Sequence, residues 1–525
     1  MSRWKTWSMD SNAPVRAAYV VPALLGLTIA AISATAWIKN LATDDALYYP
    51  TVARSIASGL GSTYDGFTQT NGYHPLWCWL QIPIAALTSP LGDITYLWFV
   101  KLLVVIVAAL AVIVWGQLIR RVTGSSWMAA TFVLLLGAYW WSVHTLYSGM
   151  ETPLVVLMMG VALLLAHRLL ENHSTRTAVA LGVAMAATLL ARLDSVFFLG
   201  VLGCVVLLRL RKNIKVLAAW LIPMVSLPLP YLWWNYTVFG NFVPVSGIRK
   251  SVSTLDLEAQ LKILTGFASG KLTKLTTVLN PAALMLVALV AILFVTAMWL
   301  SRSEIGEQAR RLNLLWTVPV GAVLHFLYIA TFMVEANVSW YQYSEYLTLF
   351  LAISVAVASV TSWLQARRLP ESVQWLPFGV VVAGVLTSVL AFAPKALPDI
   401  ANVRSYETAS WAKEHLDSAD VRFGMYDPGV FRFVSGFKTM ALNGLASTPE
   451  VTALVLDGNW TDIIAKYNIN YVVQFVAEQD IAAIPQQYVK FRTEPFEKYL
   501  WRYDAKMPGR FLILDSSYPG INSLI

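Results

Sequence analysis

Charged side chains are scarce in this sequence: Asp, Glu, Lys and Arg make up 13% of its 525 residues, against 57% hydrophobic. A soluble globular chain carries about 25% charged residues, so much of this one has no water to face. Its mean hydropathy, +0.59, agrees. Cysteine is nearly absent. Cys78 and Cys204 both lie in apolar stretches, which argues against a disulfide framework or a thiolate metal centre. The six histidines show no H-E-x-x-H or Cys-x-x-Cys companionship, so no zinc centre is announced. The net charge is +8, but the basic residues occur as short clusters between apolar runs and never as one basic face, which argues against nucleic acid as a partner. No internal repeat of the kind a transporter shows is visible.

What the chain does have is long apolar runs. The first, 17–38, holds 22 uncharged residues, about 33 Å of helix. Arg3, Lys5 and Arg16 precede it and no small-residue cleavage site stands out, which predicts a retained span with a cytoplasmic N-terminus. Further runs at 96–119, 126–147, 153–170, 176–191, 195–209, 216–234, 281–300, 312–334, 341–362 and 373–392 bring the expected number of spans to eleven. On that map the cytoplasmic gaps hold Arg120 and Arg121; Arg168 and Arg176; Arg209, Arg211, Lys212 and Lys215; Arg302, Arg310 and Arg311; and Arg367 and Arg368. All five obey the positive-inside bias. The run 75–87 is set aside as a span. It falls short of about 20 residues, contains Pro75 and Pro83, and would turn every later basic cluster outward. It is expected as an interfacial or re-entrant helix within a first external loop, 39–95, which carries a second surface helix over 46–58.

A second external excursion, 235–280, carries Arg249, Lys250, Lys262, Lys271 and Lys274 against the inside bias, in keeping with anion binding or with contact to lipid head groups. After 394 apolar and polar stretches alternate at short range, with strands expected at 421–425 and 471–475 and a helix at 461–467. The fold class expected is a polytopic all-α membrane protein of about eleven transmembrane helices (1–394) followed by an extracytoplasmic mixed α/β domain (395–525). Its place is the inner or plasma membrane, as a multi-pass monomer with membrane lipids around it.

The run Thr43-Asp44-Asp45-Ala46-Leu47-Tyr48-Tyr49 opens a helix just outside the first span. Helix capping accounts for one acidic residue. Two adjacent carboxylates beside an apolar boundary raise each other's pKa unless a cation, metal or donor intervenes, and suit proton removal from a hydroxyl. In Thr70-Asn71-Gly72-Tyr73-His74-Pro75, a turn explains Asn71, Gly72 and Pro75 and leaves Tyr73 and His74 as candidates for substrate or phosphate contact. Ser148-Gly149-Met150-Glu151-Thr152-Pro153 places Glu151 on the same side, and Arg192 and Asp194 sit at the tip of a short hairpin there. Trp340 and Tyr341 begin a span on that side, as an aromatic belt or as part of a site. Residues far apart in sequence are thus sent to one rim of the membrane, the pattern of an active site. In the terminal domain, Asp427 and Asp457 serve equally well as glycan contacts or as turn residues.

The Asp-Asp pair after the first span, the Thr-Asn-Gly-Tyr-His-Pro-Leu-Trp turn at 70–77 and the Ser-Gly-Met-Glu-Thr at 148–152 resemble the GT-C superfamily of multi-span glycosyltransferases. The likeness is to bacterial members that use polyprenyl-phosphate sugars, such as the mycobacterial arabinofuranosyltransferases and related mannosyl and aminoarabinose transferases. It extends over the membrane part as architecture, while its motifs are short. The Trp-Trp-Asp signature of oligosaccharyltransferases is missing. The resemblance implies an inverting transfer of a sugar from a polyprenyl-phosphate donor to a hydroxyl of a cell-envelope glycan or glycolipid, with Asp44 as general base and Asp45 as its partner. Tyr48, Tyr73, His74, Glu151, Arg192, Asp194, Arg249, Lys250, Lys262 and Tyr341 are then donor or acceptor contacts. No cofactor is required, and a divalent metal at Asp44 and Asp45 is compatible with the chemistry. A lipid-linked glycan transporter or ligase and a membrane-anchored glycan-binding protein are the alternatives.

Overall fold

The computed structural model describes residues 13–251, 302–333, 339–416, 420–500 and 505–525. In hydrocarbon a backbone must pair its own polar groups, so the apolar runs become helices. Eight are long and apolar enough to cross a membrane: Ala13–Ala31, Asp93–Thr123, Thr152–Asn172, Leu193–Leu210, Ile214–Phe239, Asn313–Phe332, Trp340–Ala366 and Leu376–Pro394. A ninth is the pair Ser126–Ala138 and Trp140–Leu146, bent by 59°, while the apolar helix Thr175–Ala191 is shorter, at 17 residues. The described residues therefore carry eight or nine candidate spans where eleven were expected; the expected run 281–300 and Lys262 lie outside them. Pro75–Thr88 is a helix of 14 residues, about 21 Å long and so too short to cross.

Two expected single helices are broken, and at both breaks the freed backbone groups are paired. The first run stops at Ala31 and restarts at Ala34, where Ser33 Oγ accepts from Ala36 N at 3.0 Å. Lys101 Nζ, from the helix Asp93–Thr123, donates to Ala30 O at 2.8 Å and to Ile32 O. At the second break Tyr139 is extended, Ser142 Oγ donates to Leu135 O at 2.9 Å, and Trp140 N donates to Ser388 Oγ at 3.2 Å. These partners let an irregular backbone persist inside an apolar bundle.

The C-terminal part is a mixed sheet of β1 (Arg422–Met425), β2 (Lys438–Ala441), β3 (Tyr471–Ala477), β4 (Val489–Arg492), β5 (Phe496–Leu500) and β6 (Ala505–Asp515). The order is β2-β1-β3-β6-β4, with β5 also on β6; β2, β1 and β3 run parallel and β6 is antiparallel to its neighbours. Alternate side chains serve opposite faces. Val472, Val476, Leu512 and Leu514 pack with the helices Pro449–Leu456 and Trp460–Lys466, whereas Val473, Phe475, Phe511 and Ile513 pack with Ala409 and Ala412 of Ile400–His415.

This sheet domain is seated on the first loop. Asn402 Nδ2 donates to Ile38 O at 3.0 Å and Ala42 O at 2.7 Å, Asp399 N to Lys39 O at 2.9 Å, and Arg432 Nε to Tyr64 O at 3.2 Å. Backbone meets backbone at two glycines. A Cβ on Gly72 would stand 1.9 Å from Leu445 O, and one on Gly429 would stand 1.9 Å from Asp44 O, so only glycine permits the approach.

Candidate active site

The Asp44–Leu47 turn and the helix Tyr48–Ala57 follow the short helix Ala34–Asn40 and pack against the segments after β1 and β2. Asp44 points into the other domain: Oδ2 accepts from Gly429 N and Oδ1 from Val430 N, each at 2.8 Å. Burial and the nearby Asp427 push its carboxyl well above the ordinary 3.8; Asp45 adds to this, and the two amide bonds only partly oppose it. Two cavities share Asp45, Lys250, Trp340 and Leu445 in their walls. The larger, about 480 Å³, is lined by Asp44, Asp45, Arg249 and Lys250 from one side and by Tyr426, Asp427, Asn443, Gln474 and Lys498 from the sheet domain. The smaller, about 50 Å³, is lined by Asp45, Tyr48, Tyr73, His74, Glu151, Arg192, Lys250 and Tyr341.

The small cavity is held by buried tryptophans. Trp37 Nε1 donates to Tyr147 O at 2.8 Å and Trp77 Nε1 to Gly149 O at 2.9 Å, which fixes the turn that presents Glu151. Glu151 is fully buried. Its Oε2 accepts from Tyr49 Oη at 2.6 Å, its Oε1 accepts from Arg192 Nη1, and His74 Nε2 lies 3.6 Å away. Burial holds the imidazole of His74 below its ordinary 6.5 despite Glu151, so His74 is neutral at pH 7. Burial alone would raise Glu151; the neighbouring His74, the Arg192 guanidinium and the Tyr49 hydroxyl hold it below 4.5 instead. Arg192 is 1% exposed. Its Nε donates to both oxygens of Asp194, at 2.9 and 3.0 Å, and its guanidinium lies 4.4 Å from the Tyr341 ring centroid. Two buried nitrogens, Arg192 Nη2 and His74 Nδ1, find no hydrogen-bond partner among the described residues.

The structure brings together most of the residues singled out from sequence. Asp45, Tyr48, Tyr73, His74, Glu151, Arg192, Lys250 and Tyr341 share one cavity, with Asp194 directly behind Arg192. Tyr48 Oη also accepts from Asn443 Nδ2 at 3.0 Å, and Tyr73 Oη lies 2.8 Å from Ser62 Oγ. Arg249 belongs to the larger cavity, donating to Asn443 O at 3.1 Å and Tyr426 Oη at 3.4 Å. Of the two acids set aside in the sheet domain, Asp427 lines the larger cavity, 3.1 Å from Lys498 Nζ, and Asp457 caps a helix. Sequence reasoning passed over Tyr49, Tyr343, His325 and Glu345. For the last two a signal existed, since each puts an ionisable side chain in an apolar span. Among the described residues, no group of three or more His, Cys, Asp or Glu side chains is arranged to hold a metal.

No protein-family model matches the chain, and no curated protein is similar to it in sequence. Solved structures resemble it in fold. ArnT from Cupriavidus metallidurans bound to undecaprenyl phosphate superposes with a TM-score of 0.55 at 15% identity, over 95% of this chain and 98% of that one. Its apo state gives 0.52 at 13%, over 97% and 99%. The oligosaccharyltransferase AglB from Archaeoglobus fulgidus, with an inhibitory peptide and a dolichol-phosphate, overlaps at a TM-score of only 0.46 and 13% identity, over 96% and 74%, and supports no argument. At these identities the likeness to ArnT is one of fold, and it runs through nearly the whole of both chains.

Proposed function

We propose that the chain is a GT-C-type glycosyltransferase that moves a sugar from a polyprenyl-phosphate donor to a hydroxyl of a cell-envelope glycan or glycolipid on the extracytoplasmic side, with Asp45 as general base. The observation that carries this reading is the small cavity, which Asp45 and Arg192 both line, together with the Arg192 Nη2, buried and without a hydrogen-bond partner among the described residues. An unpaired guanidinium edge in a buried site is a costly arrangement that a phosphate oxygen would satisfy. The shared fold with ArnT, solved with undecaprenyl phosphate, supports a lipid phosphate as that ligand.

The donor phosphate lies in the small cavity beside Arg192, His74 and Lys250, and the acceptor reaches Asp45 from the larger one. A carboxylate oxygen of Asp45 takes the acceptor proton. The freed oxygen attacks the anomeric carbon opposite the phosphate, the C–O bond to phosphate breaks, and polyprenyl phosphate leaves with the electron pair, inverting the centre. The leaving group needs countercharge rather than a proton, and Arg192 with Lys250 supplies it. Asp44 is the weaker candidate for base because both its oxygens already accept amide hydrogens from the sheet domain, whereas Asp45 lines both cavities.

Sugar transfer into membrane glycans from a panel of radiolabelled polyprenyl-phosphate donors tests this. Asp45→Asn should cut turnover by roughly 10²–10⁴-fold with donor binding retained. Unchanged transfer in that variant would remove Asp45 from the mechanism, and no transfer from any donor by the wild-type chain would remove the reading itself.

A further inference from the structure

Behind the small cavity a line of ionisable side chains continues into two spans, and the transfer reaction has no direct use for it. Asp194, which takes Arg192 Nε with both oxygens, also accepts from Tyr343 Oη at 3.1 Å and lies 3.3 Å from His325 Nε2. His325 Nδ1 is 3.0 Å from Glu345 Oε1 and 3.0 Å from Ser344 Oγ, which itself donates to Glu345 Oε2 at 3.0 Å. His325 belongs to the span Asn313–Phe332, and Tyr343 and Glu345 belong to Trp340–Ala366. The ring of Tyr343 stands 5.4 Å from the Arg192 guanidinium, and His325 is 1% exposed.

Ionisable groups at this depth are disfavoured unless they pair or serve a site. If Arg192 needed only a counterion, Glu151 alone would provide one. Instead Nη1 is held by Glu151 and Nε by both oxygens of Asp194, and Asp194 in turn accepts from Tyr343 Oη on one span and stands at ion-pair distance from His325 Nε2 on the other. With Nη1 and Nε both taken, the guanidinium has Nη2 left to offer, a buried nitrogen without a hydrogen-bond partner among the described residues, on a side chain that lines the small cavity.

We propose that Asp194, His325 and Glu345 are positioning residues that hold Arg192 in one orientation, with Nη2 turned into the small cavity to receive a phosphate oxygen of the lipid headgroup. The inference rests on the glycosyltransferase reading above and names the residues that preset its phosphate site. None of the three touches the donor. Each acts by removing the alternative orientations that Arg192 would otherwise have to give up on binding.

The test is binding of undecaprenyl phosphate to the purified full chain in detergent, followed by tryptophan fluorescence, with inorganic pyrophosphate as competitor. Arg192→Lys should weaken binding by about ten-fold or more, and His325→Ala by roughly five- to ten-fold. The double variant should bind no worse than Arg192→Lys alone, because His325 acts only through Arg192. His325→Gln, which keeps a polar side chain between Asp194 and Glu345, should recover part of the affinity. Where His325→Ala does not fold, Glu345→Gln carries the test, with a smaller loss that likewise vanishes in the Arg192→Lys background. Losses that simply add in the double variants, or unaltered binding in both His325→Ala and Glu345→Gln, would overturn the positioning role while leaving the glycosyltransferase reading intact. Failure of the wild-type chain to bind undecaprenyl phosphate at all would overturn both.

Discussion

Asp44 has both carboxylate oxygens taken by amides some 385 residues further along the chain, while Asp45, its neighbour, lines the junction of two cavities. A backbone turn separates two side chains that look equivalent on paper. The sequence displays the acidic pair, since two carboxylates at a helix start beside an apolar boundary are conspicuous. It cannot display the division of roles, because the partners that distinguish them come from another domain. The difference has a measurable sign. Asp44 is held above its ordinary 3.8, so the folded chain keeps this proton more readily than the unfolded one. Its contribution to stability is then present in full below 3.8 and is lost as pH rises from there through the folded value. Asp44→Asn removes that titration. Thermal unfolding of the two proteins between pH 4 and 8 should show the wild type losing ground to the variant as pH increases, and parallel curves would contradict the buried, crowded carboxylate described above.

At the scale of elements, apolar runs were sufficient to locate helices, because a span must satisfy its backbone internally whatever surrounds it. Their interruptions were far less legible. A single serine is a weak local mark of each break, Ser33 at one and Ser142 at the other, and each also relies on a side chain from elsewhere, Lys101 in one case and Ser388 in the other. Lys101 is fully buried and reaches two carbonyls at the end of the first span, immediately ahead of the segment that leads to Asp44 and Asp45. Lys101→Met keeps the length and removes the donors. It should lower unfolding stability by about 1–3 kcal/mol, and hydrogen exchange should rise first in 30–40, since the Ala34–Asn40 helix loses its anchor to the preceding turn. Lys101→Arg should retain most of the protection. Exchange that stays unchanged in this segment would mean that the break is held by packing alone.

On the scale of the whole molecule, the larger cavity exists only because two domains meet. Its floor comes from Asp44, Asp45, Arg249 and Lys250, and much of its other wall from β1, β3 and the loops that follow β1 and β2. The small cavity was the part open to sequence reasoning, since its residues sit at the ends of spans and the charge map sends span ends to a common rim. The larger was not: Tyr426, Asn443 and Gln474 carry no pattern until the sheet domain is docked. Docking turns on backbone approach at Gly429, where an added Cβ would fall 1.9 Å from Asp44 O. Gly429→Ala must therefore push the sheet domain off the Asp44 turn, even though its change in side-chain chemistry is the smallest available. Among the described residues the small cavity draws only Leu445 from the sheet domain, so undecaprenyl phosphate should still bind while acceptor-dependent turnover falls. Hydrogen exchange should increase together in 43–48 and 426–432, the two surfaces of one contact. If turnover and exchange in Gly429→Ala both match the wild type, the domains do not meet as described, and the acceptor path must be sought within the membrane part.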